Sequence, residues 1–438
     1  MTESAGSKHL KIIISGSRLQ QCSEFAEYLL IHFPSYSFSF INDAPDYEGK
    51  DPYKLSPINY TISLLYFVIV SKYYVSILHS ITERISRLNI LKYLLVYFLR
   101  SFYSKHPKSY NKFSLFLLNH LLSGKGLSLS RKKRLKNKAT GLIHFHLGTL
   151  TTDHEINYCL ESYASGNFLH YLSYNWDNLS SKTFLLPIFD SAQTWDPYIA
   201  QNYPPNLYYE SKPIFSSSFR LSFATTININ ETISKKINCI LFLGTQKDPK
   251  FELSTLKELV YNLSSFGLPP AVIYRPHPFN LEFIYKELRN FKDVFSNNTV
   301  INTSSETLFF GDIFKSVDDS SLYSLFEKCS IVISPGSTTL LEATFFGCMP
   351  ILLSSNPRQV TLKFMHQKDH MQSLLSMSNS KQSTSLFVLF SQFKRFLSTQ
   401  IDYESIHRDA MDLYNPFLFD DYILTILSSA LKPSSLEI

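Results

Sequence analysis

Short aliphatic and β-branched runs recur along this chain, separated by segments whose apolar residues fall at helical spacing. Leu10–Ser15 (LKIIIS) is the first run and reads as a buried parallel strand. In Gln21–His32, the apolar residues Phe25, Leu29 and Leu30 keep to one helical face, and Pro34 closes the segment. Tyr36–Ile41 resembles a second strand. Such a strand–helix–strand opening predicts a doubly wound α/β sheet. The strand pattern returns at Gly141–His146 and Asn167–Tyr174, with a helix over Asp153–Ser165 between them.

A second series starts at Asn238–Leu243 (NCILFL). It continues with a helix over Leu253–Leu263, a strand at Ala271–Tyr274, a helix over Leu281–Asn290 and a strand at Thr299–Asn302. It ends with a helix over Ser320–Cys329, strand Ile331–Ser334, helix Thr339–Phe346 and strand Pro350–Leu353. Strands alternating with helices are the βαβ signature. The expected organisation is an N-terminal Rossmann-like domain over 1–221, a C-terminal one over 237–405, and a helix within 406–438 that crosses back. The polar, β-branched stretch 222–236 reads as the crossover and hinge.

Residues 60–120 are long, apolar and aromatic, and are expected to be a helical insertion in the N-terminal domain. Ile62–Leu78 is interrupted by Lys72. Ile90–Phe102 carries Lys92 and Arg100 and falls short of the ~20 residues a bilayer span needs. Both read as buried or interfacial helices. The N-terminus starts polar, and its apolar run is too short for a signal peptide.

The net charge of +6 is too mild to indicate a nucleic-acid partner, though it favours anionic ones. The local run Arg131, Lys132, Lys133, Arg134, Lys136 and Lys138 is either a solvated loop or a contact for an anionic membrane surface. The 5 cysteines are scattered, with no CxxC pair, and read as free thiols in a reducing compartment. The expected location is cytoplasmic, and a peripheral contact at the inner face of the membrane is left open.

Three segments carry candidate chemistry. Ser330–Pro350 begins as a strand, breaks at Pro335-Gly336, presents Ser337, Thr338 and Thr339, and continues as a helix bearing Glu342. Hydroxyls and free amides at a helix start suit a phosphate, and Glu342 one turn further suits a ribose diol; a plain N-cap is the alternative. Arg275-Pro276-His277-Pro278 follows an apolar strand. Its prolines aim His277, and Arg275 can fork onto a phosphate; the alternative is a rigid turn. Tyr174–Lys182 (YNWDNLSSK) offers Asp177 as a general base for an acceptor hydroxyl, or else an Asx turn.

A fourth group, His144 and His146, shares one strand face, but the sequence shows no third metal ligand, so satisfied core histidines are the simpler reading. No HExxH, P-loop, GxSxG or kinase motif is present, and no DxD stands at a strand end. No metal and no cofactor are expected.

Trp176–Lys182, Arg275–Pro278 and Gly336–Ala343, in that order, resemble segments of the GT-B glycosyltransferase superfamily, especially bacterial surface-polysaccharide transferases. The pairing of an HP turn with an ST turn is also similar to sialyltransferases and CDP-glycerol glycerophosphotransferases. The chain departs from the pattern at Thr183, where relatives have Gly, and at Tyr208–Lys212. The resemblance implies two Rossmann-like domains facing a cleft. It also implies metal-independent transfer from a nucleotide-sugar donor to a glycan or lipid-linked acceptor. Glycerol-phosphate transfer, nucleotide-sugar epimerisation and a non-catalytic role in polysaccharide assembly are the alternatives. On this reading Arg275, Ser337, Thr338, Thr339 and Glu342 bind the nucleotide, and His277 and Asp177 are catalytic.

Overall fold

The computed structural model of the chain describes residues 8–16, 19–41, 142–148, 153–175, 188–202, 214–244, 249–265, 271–276, 280, 283, 286–287, 299–302, 307–310, 322–334, 338–353, 381–383 and 401–430. It divides into one unit of Met1–Ser222 with Pro416–Ile438 and a second of Phe223–Asn415. The helical insertion expected over 60–120 and the basic run Arg131–Lys138 lie outside the described residues.

In the first unit the β-branched runs form the centre of a sheet, because only a strand buries both faces of so short an apolar segment. Its strands are β1 (Lys8–Gly16), β2 (Tyr36–Ile41), β3 (Ile143–Leu147), β4 (Phe168–Leu172), β5 (Ser191–Thr194) and β6 (Ile214–Phe215). They lie in the order β2-β1-β3-β4-β5-β6, and every pairing is parallel. Helix Leu19–His32 joins β1 to β2, and helix Asp153–Ala164 joins β3 to β4. Phe25 lies at the middle of the core, 5.2 Å from Phe145 edge-on and 5.3 Å from Phe219. Phe419, Tyr422, Ile423, Ile426 and Leu427 of helix Leu418–Ala430 belong to the same core.

The second unit is built on β7 (Ile237–Leu243), β8 (Ala271–Arg275), β9 (Thr299–Asn302), β10 (Thr307–Phe310), β11 (Cys329–Ser334), β12 (Met349–Leu353) and β13 (Lys381–Ser383). Their order is β10-β9-β8-β7-β11-β12-β13, parallel except for the antiparallel edge pair β9–β10. Counted from β7, this is the Rossmann order 3-2-1-4-5-6 with an added edge strand.

Two expectations change. Helix Ile229–Lys235 occupies part of the stretch read as crossover, and Asn228 caps it by accepting from the Glu231 amide. A 3-10 helix, Phe219–Thr226, precedes it. The helix expected within 406–438 is two helices, Tyr403–Tyr414 and Leu418–Ala430. Asn415 adopts a positive φ of 25°, and Pro416, with no N–H, cannot continue the ladder. Among the described residues no helix is long and apolar enough to cross a membrane.

Candidate functional site

In an open α/β sheet, ligands bind beyond the strand C-termini where strand order reverses. In the second unit that point lies between β7 and β11, on either side of which the chain winds outward. Register fixes what stands there. Arg275 closes β8 opposite Leu243, and Phe242 opposes Ile333, so Ser334 follows on the same row as Leu243. Arg275 and Ser334 are thus two strands apart, roughly 10 Å between backbones, within reach of a guanidinium. The Gly244 amide donates to the Arg275 carbonyl at 2.8 Å and ties the ends of β7 and β8 together. Burial lowers the Arg275 pKa, but an arginine stays charged.

After β11, helix Thr338–Thr344 runs for 7 residues. Thr338 and Thr339 are half-buried at its start. Two turns make a weak dipole, so cationic side chains must supply most of the charge for an anion here. Glu342 is 1 % exposed, as buried as Leu340, Leu341 and Ala343 beside it. Its carboxyl group borders the reversal point from the buried face of this helix. The helix ends at Gly347, whose φ is 72°. The Gly347 amide bonds the Thr344 carbonyl and the Cys348 amide reaches back to Ala343, a Schellman-type stop. A Cβ at Gly347 would lie 2.8 Å from the Tyr403 carbonyl oxygen.

Of the residues predicted for the site, Arg275, Thr338, Thr339 and Glu342 stand at or beside this reversal point. His277, Ser337 and Asp177 lie outside the described residues. The strand leading to Asp177 is firmly tied. The Ser173 amide donates to Gln193 Oε1 at 2.9 Å, the Tyr174 hydroxyl donates to Glu24 at 2.6 Å, and Arg220 donates to Asn175 Oδ1 at 2.7 Å.

The first unit reverses between β1 and β3, and the side chains there are different. Ser15 Oγ sits 2.7 Å from His144 Nε2 and 2.9 Å from His146 Nδ1. Burial, then the neighbouring His146 and His170, pushes the His144 pKa well down, so its imidazole is neutral at pH 7. Cys159, on helix Asp153–Ala164, joins this pair: one donor atom from each of His144, His146 and Cys159 lies within 4.8 Å of the others. Sequence reading found no third donor, because the three residues match no spacing motif; the packing of the β3–β4 crossover helix brings Cys159 in.

A cavity of about 450 Å³ lies elsewhere in the first unit, lined by residues including His170, Ser191, Phe215, Tyr422 and Ile426. None of the predicted site residues lines it.

No protein-family model matches the chain, and no curated protein matches it in sequence. Solved structures do match in fold. A Listeria monocytogenes protein described as a UDP-N-acetylglucosamine 2-epimerase is 11% identical, with 97% of each chain covered and a TM-score of 0.50. A Staphylococcus aureus MnaA–UDP structure is 11% identical, with 97% of each chain covered and a TM-score of 0.49. MurG of Acinetobacter baumannii is 10% identical over 96% of this chain and 99% of its own, at a TM-score of 0.47. The strand orders and the Listeria likeness together give the fold: α/β, with two Rossmann-like units of the GT-B type.

Proposed function

We propose that this protein is a metal-independent glycosyltransferase that moves a sugar from a nucleotide-activated donor to a surface-glycan or lipid-linked acceptor. One observation carries the reading. At the order reversal of the second sheet, Arg275 and the threonine-led helix after β11 flank a single row of strand ends. That is where such a sheet takes a nucleotide. The Listeria likeness supports the architecture on which this stands.

In this reading Arg275 forks onto the diphosphate, while Ser337, Thr338 and Thr339 donate hydroxyl hydrogen bonds. His277 donates to the departing phosphate. As the glycosidic bond breaks, the charge developing on the leaving oxygen falls on guanidinium and imidazole. Glu342 takes the ribose diol. Asp177 accepts the proton of the attacking acceptor hydroxyl. The basic run ending at Lys138 holds the cytoplasmic enzyme at an anionic membrane face, where a lipid-linked acceptor would be met.

The test is a melting-temperature series with UDP, CMP, CDP, GDP and dTDP. A ligand at 100-fold its Kd stabilises by about 2.7 kcal/mol. A rise with one nucleotide is expected; none with any of them overturns the proposal and favours a non-catalytic assembly protein. Labelled donors carrying the same base then distinguish transfer from epimerisation or glycerol-phosphate transfer.

A further inference from the structure

We propose that the first unit binds one divalent cation of the zinc class on His144, His146 and Cys159, with Ser15 positioning the two imidazoles. The three donors come from two elements that the fold packs together, β3 and helix Asp153–Ala164. Their donor atoms lie within 4.8 Å of one another. Ligand bonds of about 2.0 to 2.3 Å to a tetrahedral zinc put donor atoms roughly 3.3 to 3.8 Å apart, so closing the set needs pairs to approach by about 1.5 Å at most.

Burial makes the cluster a built site. His144 and Cys159 are 0 % exposed and His146 is 1 % exposed. His144 Nδ1 has no hydrogen-bond partner among the described residues, while its Nε2 bonds Ser15. A fully buried ring nitrogen with nothing to bond is costly, and it points to an occupant. Ser15 touches both rings, the orienting contact that metal-bound histidines ordinarily have. Ser15 is placed by the tight approach of β1 to β3: at the next residue, Gly16, a Cβ would lie 2.9 Å from the Leu147 carbonyl oxygen.

The donor chemistry selects the cation. Two imidazoles and one sulfur suit zinc and its borderline neighbours, whereas magnesium and calcium require oxygen ligands. Neutral imidazole is the ligating form of histidine. On binding, the thiol proton leaves to solvent and the sulfur–metal bond forms, with no change in oxidation state. The thiolate then offsets one unit of cation charge. Glu155, four residues earlier on the same helix face, is also buried, at 4 % exposed.

The test uses the untagged full-length chain, freed of metal by a chelator and titrated with Co²⁺ and then Zn²⁺. One Co²⁺ per chain is expected, with visible bands of a tetrahedral ion and a near-ultraviolet thiolate-to-cobalt band, both bleached by one Zn²⁺. Cys159→Ser should lose the thiolate band, and Cys22→Ser, a buried thiol elsewhere in the unit, should keep it. If Cys159→Ser does not fold, X-ray absorption of the wild-type zinc form decides. One sulfur at about 2.3 Å with nitrogen or oxygen at about 2.0 Å supports the site. Folded wild-type chain that takes up no stoichiometric metal, a thiolate band that survives Cys159→Ser, or a metal shell with no sulfur or several would each overturn it.

Discussion

Along β1 and β3, the strands that flank the reversal of the first sheet, stand a serine hydroxyl, two imidazoles and, from the adjoining helix, a thiol, all buried. At the reversal of the second, between β7 and β11, the strand ends carry a half-buried arginine and a pair of threonines. The two places are topologically equivalent and chemically opposite. On the readings proposed above, one set would offer lone pairs to a cation, and the other would offer N–H and O–H donors to a phosphate with Glu342 beside them. The sheet decides where a ligand goes, and the side chains decide its sign.

The largest test of that contrast is His277→Ala, which should lower donor turnover by ~10²-fold or more if the imidazole meets the leaving phosphate. An unchanged rate in folded protein would remove the anion from the second reversal point. Ser15→Ala probes the other side. It leaves two buried ring nitrogens without their shared partner, and should cost about 1 to 3 kcal/mol in denaturant unfolding of the metal-free chain. A loss below a few tenths would mean that the serine is dispensable there.

Acid should act on the same cluster. His144 is held below the ordinary histidine value of 6.5, so below pH 6.5 the unfolded chain takes up a proton that the folded chain refuses. The stability present above 6.5 is then lost as pH falls, by at most about 1.4 kcal/mol per pH unit until the folded pKa is reached. His144→Asn should flatten that slope in melting curves run between pH 7 and 5; an equal slope would refute the assignment.

In the second unit, Gly347→Ala places a side chain at positive φ and against the Tyr403 carbonyl. A loss of about 1 to 3 kcal/mol is expected from urea titration, and a neutral result would contradict the helix stop described. Smallest is Asn228→Ala, which removes a cap and should cost about 1 kcal/mol, while Asn228→Gly should cost only a few tenths.

The sequence made the centres of both sheets readable and left their margins obscure. LKIIIS, NCILFL and SIVIS are aliphatic enough to admit only a buried strand, and each became one. β5 is Ser-Ala-Gln-Thr, which has no apolar period; its pairing with β4 comes from the sheet, not from propensity. β6 and β13, of 2 and 3 residues, are too short to show any period. Helix Ile229–Lys235 hid in a polar, β-branched stretch where only its Asn cap marked the start. The Asn415-Pro416 dipeptide did mark the helix break, and the apolar pattern on either side masked it. In the candidate site, Arg275, Thr338 and Thr339 could be placed from sequence because they adjoin strands the pattern locates. Cys159 could not, since its link to His144 and His146 depends on how a helix docks.

Helix Leu418–Ala430 carries a further consequence. Phe419 meets Tyr28 at a tilt, 5.4 Å between ring centroids, and Phe25 edge-on at 6.4 Å, although nearly 400 residues separate them along the chain. At synthesis rates of about 5 to 20 residues per second, the earliest-made core waits roughly 20 to 80 s for its last wall. Throughout that interval the nascent aromatic surface is open to aggregation. Removal of the final twenty residues would therefore damage the part of the protein translated first.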